Sequence, residues 1–157
     1  MLAAPVRILT APTRREIEAL AEIFDLYRTH YGEPGDPVLS TAWLEQYLGS
    51  GRLGVFVAGV GESFVGFATT IEIPASLRLS QYWQIRDLFV LPSHRRRGVA
   101  RTLLASIREA AVAAGALRLA VQTEDDNQPA LHLYAKSGYA LIDGYRSLTL
   151  ALDADSR

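Results

Sequence analysis

His94-Arg-Arg-Arg-Gly-Val-Ala-Arg-Thr-Leu-Leu104 (HRRRGVARTLL) places three arginines, a glycine and an alanine just ahead of an apolar helical run. A helix already carries partial positive charge at that end, because its first N–H groups are unpaired and its dipole points that way. Arginines there cost stability unless an anion meets them. The preceding residues, Tyr82–Leu91 (YWQIRDLFVL), are rich in aromatic and branched side chains, read as a long strand, and are stopped by Pro92. Strand, tight turn, then a helix opening on Arg95-x-x-Gly98-x-Ala100 describes a phosphate cradle. The small residues Gly98 and Ala100 let backbone N–H groups approach a ligand closely.

Two familiar cradles do not fit. The P-loop pattern G-x-x-x-x-G-K-[ST] is absent, and Gly59-Val60-Gly61 lacks the third glycine of a dinucleotide fingerprint. A plain solvated arginine cluster is the bland alternative, set against the unfavourable dipole. A nucleic-acid patch would want aromatic residues among the arginines and a basic chain, and neither is found. The net charge is −1 over 157 residues, so no global field draws nucleic acid or an anionic membrane.

The chain is 49% apolar and 21% charged, as expected of one globular domain spanning 1–157. It has no cysteine, which excludes disulfides, thiol nucleophiles and thiolate metal sites. No apolar run is long enough to span a bilayer, and no charged segment followed by an apolar core opens the sequence, so a cytoplasmic location is expected. Lys136 is the only lysine and Asn127 the only asparagine.

Around the cradle the sequence alternates elements without linker or repeat. Val6–Thr10 reads as a short strand, and Thr13 with Glu16 as a capping box for a helix whose apolar residues include Ile17, Leu20, Phe24 and Tyr27. A second helix is expected from near Ser40, with Trp43, Leu44 and Tyr47 on one face. Two strands flank Gly61-Glu62 as a hairpin. The cradle helix is expected over Arg97–Ala114, closed by Gly115. A strand at Leu117–Thr123, a helix at Gln128–Lys136 and a final strand or hairpin over Tyr139–Leu152 complete an α/β, mixed-sheet pattern with helices packed on it.

The second informative segment is Asn127–Tyr139, NQPALHLYAKSGY. Asn127 and Tyr134 are seven residues apart, two helical turns, so they return to nearly the same face. A buried amphipathic tyrosine would show the same spacing. His132 lies off that face and reads as a surface or packing residue.

In this order, about thirty residues apart, the two segments resemble the GNAT superfamily of N-acetyltransferases. The first matches its strand, pyrophosphate loop and helix, and the second its Asn…Tyr-x-Lys-x-Gly-Tyr/Phe segment. The strand YWQIRDLFV, taken with YRTHYGEP at the first helix's end, is similar to bacterial relatives of diamine and polyamine acetyltransferases.

The resemblance implies the family fold: a mostly antiparallel mixed sheet of six to seven strands with about four helices, splayed between the Tyr82–Leu91 and Leu117–Thr123 strands to hold the cofactor. It implies acetyl-CoA as cofactor, CoA as product and no metal. The pyrophosphate would sit on the N–H groups of Arg96, Arg97, Gly98, Val99, Ala100 and Arg101, with the Arg95 side chain adding charge. Arg96 stands where the family usually has a second glycine. Leu88, Phe89 and Val90 would pair backbone groups with the pantetheine arm, and a backbone N–H of that strand would polarise the thioester carbonyl. Asn127 would hold the pantetheine or its turn, Lys136 would contact phosphate, and Tyr134 would be the catalytic proton donor to the departing thiolate.

The implied reaction is direct attack of a primary amine, small or polyamine-like, on the thioester. A peptide or protein acceptor, or an acyl-CoA-binding regulatory module without turnover, are the alternatives, and a homodimer stays open. Several relatives carry a glutamate base on the acceptor face of the strand. Strict alternation puts Gln84 and Arg86 on that face here and turns Asp87 away, which leaves the general base unassigned.

Overall fold

The structure, a computed structural model, describes residues 4–152. Two compact units divide the chain, Met1–Glu124 and Asp125–Arg157. The first contains strands β1 (Val6–Ile8), β2 (Gly54–Val60), β3 (Ser63–Ala75), β4 (Ser80–Val90) and β5 (Leu119–Val121), with helices α1 (Arg14–His30), α2 (Pro37–Gly49) and α3 (Val99–Ala113). The second contains α4 (Gln128–Lys136).

The five strands form one sheet in chain order. β1 to β4 are antiparallel neighbours, and β5 lies parallel to β4. That single parallel pairing needs a crossover, which α3 supplies. The five described strands are fewer than the six to seven expected. The difference lies in Tyr139–Leu152, where no strand forms and Leu141, Ile142, Leu148, Leu150 and Leu152 are exposed. An alternating pattern fixes only which faces a strand would show, whereas the strand itself exists only through ladder bonds to a partner.

Helix α1 starts as its sequence dictates. The Thr13 hydroxyl accepts from the Glu16 N–H, and Glu16 returns the bond to the Thr13 N–H, closing the capping box. Helix α2 begins at Pro37, three residues before the position expected. The Asp36 carboxylate accepts from the Leu39 N–H, and Pro37 occupies the first turn, where its missing N–H removes nothing.

The sheet's two faces bury different sets. Val55, Val57, Phe67 and Phe89 pack with Leu20 and Phe24 of α1 and Leu44 of α2. Phe56, Ala58, Ala68 and Ile85 are buried on the opposite face, where α3 buries Val99, Leu103, Ile107 and Ala111. Each of the Val, Leu, Ile and Phe side chains among them contributes roughly 1.5–3 kcal/mol by leaving water. α1 and α3 are therefore clamped to opposite faces, and the end of β4 sits between them.

Strand β4 is irregular at one place. Asp87 pairs with Thr69 and Ile85 with Thr70, so Arg86 is an extra residue, a bulge, between them. Beyond a bulge the side-chain alternation inverts. Gln84 and Asp87 therefore share the α1 face, while Ile85 and Leu88 take the α3 face. The expectation that Asp87 points away from the Gln84 face is overturned, because strict period-two counting fails wherever one strand carries a residue its partner lacks.

Candidate active site

β4 outruns its parallel neighbour. The pairing with β5 covers Trp83↔Leu119, Gln84↔Ala120 and Ile85↔Val121 and then stops, although β4 runs on to Val90. From Asp87 to Val90 the described strand is laddered on the β3 side alone. The pairing ends where β5 itself ends, at Val121, short of the expected Thr123. That leaves backbone groups of Leu88, Phe89 and Val90 open to an extended, amide-bearing guest.

The turn after β4 leads directly into α3. The His94 and Arg95 N–H groups bond back to Leu91 and Pro92 carbonyls, and the next backbone bond in sequence is Thr102 N–H to Gly98 C=O. Among the described residues, the N–H groups of Arg96, Arg97, Gly98, Val99, Ala100 and Arg101 therefore donate to no acceptor. No side chain caps α3, and its first turn contains no acidic residue.

Gly98 sits at φ +83°, a left-handed conformation that suits glycine, with nothing within 4 Å of where a Cβ would be. Arg96 adopts φ +62° despite its side chain, at a cost of about 1–2 kcal/mol. The helix begins two residues later than the expected Arg97, so Arg95, Arg96 and Arg97 lie in the turn ahead of it.

The guanidiniums supply the charge. Among the described residues, Arg95, Arg96, Arg97 and Arg101 form no ion pair with a carboxylate. Arg95 is partly committed elsewhere. Its Nε donates to the Val90 carbonyl at 3.0 Å, and its guanidinium lies 5.6 Å from the centre of the Phe89 ring, which ties the turn to the end of β4. Uncapped amides and unpaired guanidiniums next to an open strand edge fit a ligand with a pyrophosphate at one end and an amide-bearing arm.

On the α1 face of β4, Asp87 is held by two hydroxyls. The Tyr27 phenol donates to Asp87 Oδ1 at 2.8 Å, and the Thr69 hydroxyl makes a short hydrogen bond to Oδ2. Burial first, then the adjacent Asp87 carboxylate, pushes the Tyr27 phenol far above its ordinary range. Tyr31 is shifted upward by burial and by Glu124 and Asp87, against the opposing pull of Arg95. Rings surround the group: Tyr27 lies 5.8 Å from Phe89 and 5.1 Å from Tyr31, and His30 lies 5.9 Å from Phe89. Sequence reasoning missed this cluster, since Tyr27 read simply as an apolar helix position. The bulge that turns Asp87 toward it leaves no mark in the residue pattern.

In the second unit, α4 has the boundaries expected from sequence. Asn127 is the N-cap, its Oδ1 accepting from the Ala130 N–H at 3.3 Å. Tyr134 is buried, 9% exposed, with its ring 5.6 Å from Tyr139 in an edge-on contact. Lys136 is exposed in the last turn, where a cation suits the helix dipole, and His132 is exposed.

Residues 19–139 match the model of the acetyltransferase (GNAT) family. The chain belongs to this family. GNAT proteins are acyltransferase enzymes that generally use acetyl-CoA, and the present protein is an acetyltransferase. It is 30% identical over 127 residues to the uncharacterized N-acetyltransferase YhfO of Bacillus subtilis, an alignment covering 81% of this chain and 85% of that one. It is 34% identical over 84 residues to the thialysine N-epsilon-acetyltransferase of Caenorhabditis elegans, covering 54% of this chain and 52% of that protein. The crystal structure of a probable acetyltransferase superposes with a TM-score of 0.86 at 26% identity, covering 95% of this chain and 98% of that one. The GNAT fold assigned from the two sequence segments is thus the fold observed.

Proposed function

We propose that this GNAT protein is an acetyl-CoA-dependent N-acetyltransferase whose acceptor is the primary amine of a small cationic molecule. The observation that carries the cofactor half is the open β4 edge running into six acceptor-less amides at the start of α3. Leu88, Phe89 and Val90 bind the pantetheine arm through their backbones. The amides of Arg96, Arg97, Gly98, Val99, Ala100 and Arg101, with the Arg95–Arg97 and Arg101 side chains, bind the pyrophosphate. Each charge-assisted bond contributes about 1.5–3 kcal/mol.

Bound acetyl-CoA supplies an activated thioester and a thiol leaving group. The chain's own part is to hold, orient and move protons. Asn127 fixes the start of α4, Lys136 adds a cation for phosphate, and Tyr134 is the proton donor to the departing thiolate. A phenol, ordinarily near pKa 10, and a thiol trade a proton readily near neutrality.

The acceptor half rests on the α1 face of β4, where a carboxylate stands among aromatic rings, surroundings that suit an ammonium ion. The name of the thialysine relative also gives a small amine as acceptor. Thiol release from acetyl-CoA, measured with polyamines, aminoglycosides, lysine analogues and a peptide, tests the reading. Release with small amines supports it. Release with the peptide alone refutes the small acceptor, and CoA binding without release from any amine refutes the transferase.

A further inference from the structure

An alkylammonium ion cannot attack a thioester until it loses a proton, and strict alternation along β4 offers Gln84 and Arg86, not a carboxylate, on the acceptor face. The bulge at Arg86 brings a carboxylate, Asp87, onto the acceptor face. Each Asp87 oxygen already has a protein donor, Tyr27 on one and Thr69 on the other. Thr69 is fully buried on β3, whereas Tyr27 is only part-buried at the end of α1.

The Tyr27 hydroxyl has one proton, and it goes to Asp87. Among the described residues no donor reaches the phenol oxygen, so its lone pairs are unclaimed by the protein. A proton arriving on that oxygen has one ordered exit, to Asp87 Oδ1 at 2.8 Å.

Resting on the transferase reading above, we propose that Tyr27 and Asp87 form a two-member proton relay that deprotonates the acceptor amine. The ammonium N–H passes its proton to Tyr27 Oη as the Tyr27 proton moves to Asp87 Oδ1. The products are a neutral amine, a neutral Tyr27 and a protonated Asp87, and no proton or charge is left over. Asp87, part-exposed, then returns its proton to water.

The surroundings suit this cycle. Burial and the Asp87 charge both hold Tyr27 in its phenol form, so it conducts a proton without keeping the negative charge. Glu124 and Asp87 supply negative potential at Tyr27 and Tyr31, which attracts the ammonium, and Arg95 opposes it. Tyr31 and His30 are the other titratable groups that α1 brings to this spot. The Thr69 hydroxyl fixes the Asp87 carboxylate so that Oδ1 stays aimed at Tyr27.

The test compares two acceptors, an alkyl diamine and hydroxylamine, which is already unprotonated at neutral pH. Tyr27→Phe keeps the ring against Phe67 and Phe89 and removes only the hydroxyl; Asp87→Asn keeps the shape and removes the proton acceptor. Both should lower kcat/KM for the diamine by about 10²-fold or more, lower it for hydroxylamine at least tenfold less, and shift the rise of the diamine's pH profile upward toward the amine's own pKa. Calorimetric CoA affinity and the melting curve of Tyr27→Phe should stay near wild type. An unchanged diamine rate and profile in Tyr27→Phe overturns the relay. An equal loss with both acceptors overturns it too and makes the pair a packing contact. A wild-type protein that binds CoA but releases thiol with neither acceptor removes the transferase reading itself, and the relay with it.

Discussion

Gly98 separates the two demands that the proposed cofactor site places on the start of α3, backbone shape and anion binding. Its φ of +83° charges any L-residue a left-handed penalty of about 1–2 kcal/mol, and no atom lies within 4 Å of a Cβ, so no clash is added. Gly98→Ala and Gly98→Glu should therefore lose similar stability. For a chain this size that is a fall in Tm of roughly 2–8 °C. Only glutamate adds negative charge beside the cradle. Two unit charges about 4 Å apart at an effective dielectric near 20 repel by about 4 kcal/mol. At 1.4 kcal/mol per tenfold, Gly98→Glu should weaken CoA binding by roughly 10²–10³-fold relative to Gly98→Ala. Thermal melting and calorimetric titration with CoA measure the two effects independently. Equal CoA affinity in the two variants would refute the phosphate cradle, whatever the melting curves show.

Tyr134→Phe keeps the edge-on packing against Tyr139, so acetyl-CoA affinity should hold while kcat falls by about 10²–10⁴; steady-state kinetics at saturating acetyl-CoA decide it, and wild-type turnover would reduce Tyr134 to a core residue. Gly66→Val forces a side chain where a Cβ alone would lie 3.1 Å from both the Phe89 carbonyl oxygen and Val99 Cγ1, and should cost about 1–3 kcal/mol in denaturant unfolding while shifting the start of α3. The Asp25 carboxyl is held below its ordinary range, first by the Asp36 N–H and then by Ser40 and Arg28, tying α1 to the start of α2. A lowered carboxyl pKa gives stability present above the unfolded value of about 3.9 and lost as pH falls through the folded one. The Tm gap between wild type and Asp25→Asn should therefore be widest near neutral pH and close toward about pH 2; a constant gap would show that the ionised carboxylate is not what the network stabilises.

Much of this protein follows from residue order alone. The capping box at Thr13 and Glu16, the hairpin at Gly61-Glu62 and the α4 boundaries at Gln128 and Lys136 are local, set by caps, turns and helical spacing within a few residues. The strand–turn–helix of the proposed cradle was legible for the same reason: a strand, a stop at Pro92, a left-handed glycine and arginines without carboxylate partners are neighbours in the chain. Tertiary structure decided what depends on a partner strand. Whether β4 stays laddered past Ile85 is settled by where β5 ends, and whether Tyr139–Leu152 becomes a strand is settled by ladder bonds it does not make. The facing of Asp87 depends on one unmatched residue against β3, Arg86, which inverts every side chain after it. Sequence periodicity counts residues along one strand, but a bulge is a difference in count between two. The pairing of β3 with β4 alone turns Asp87 toward Tyr27.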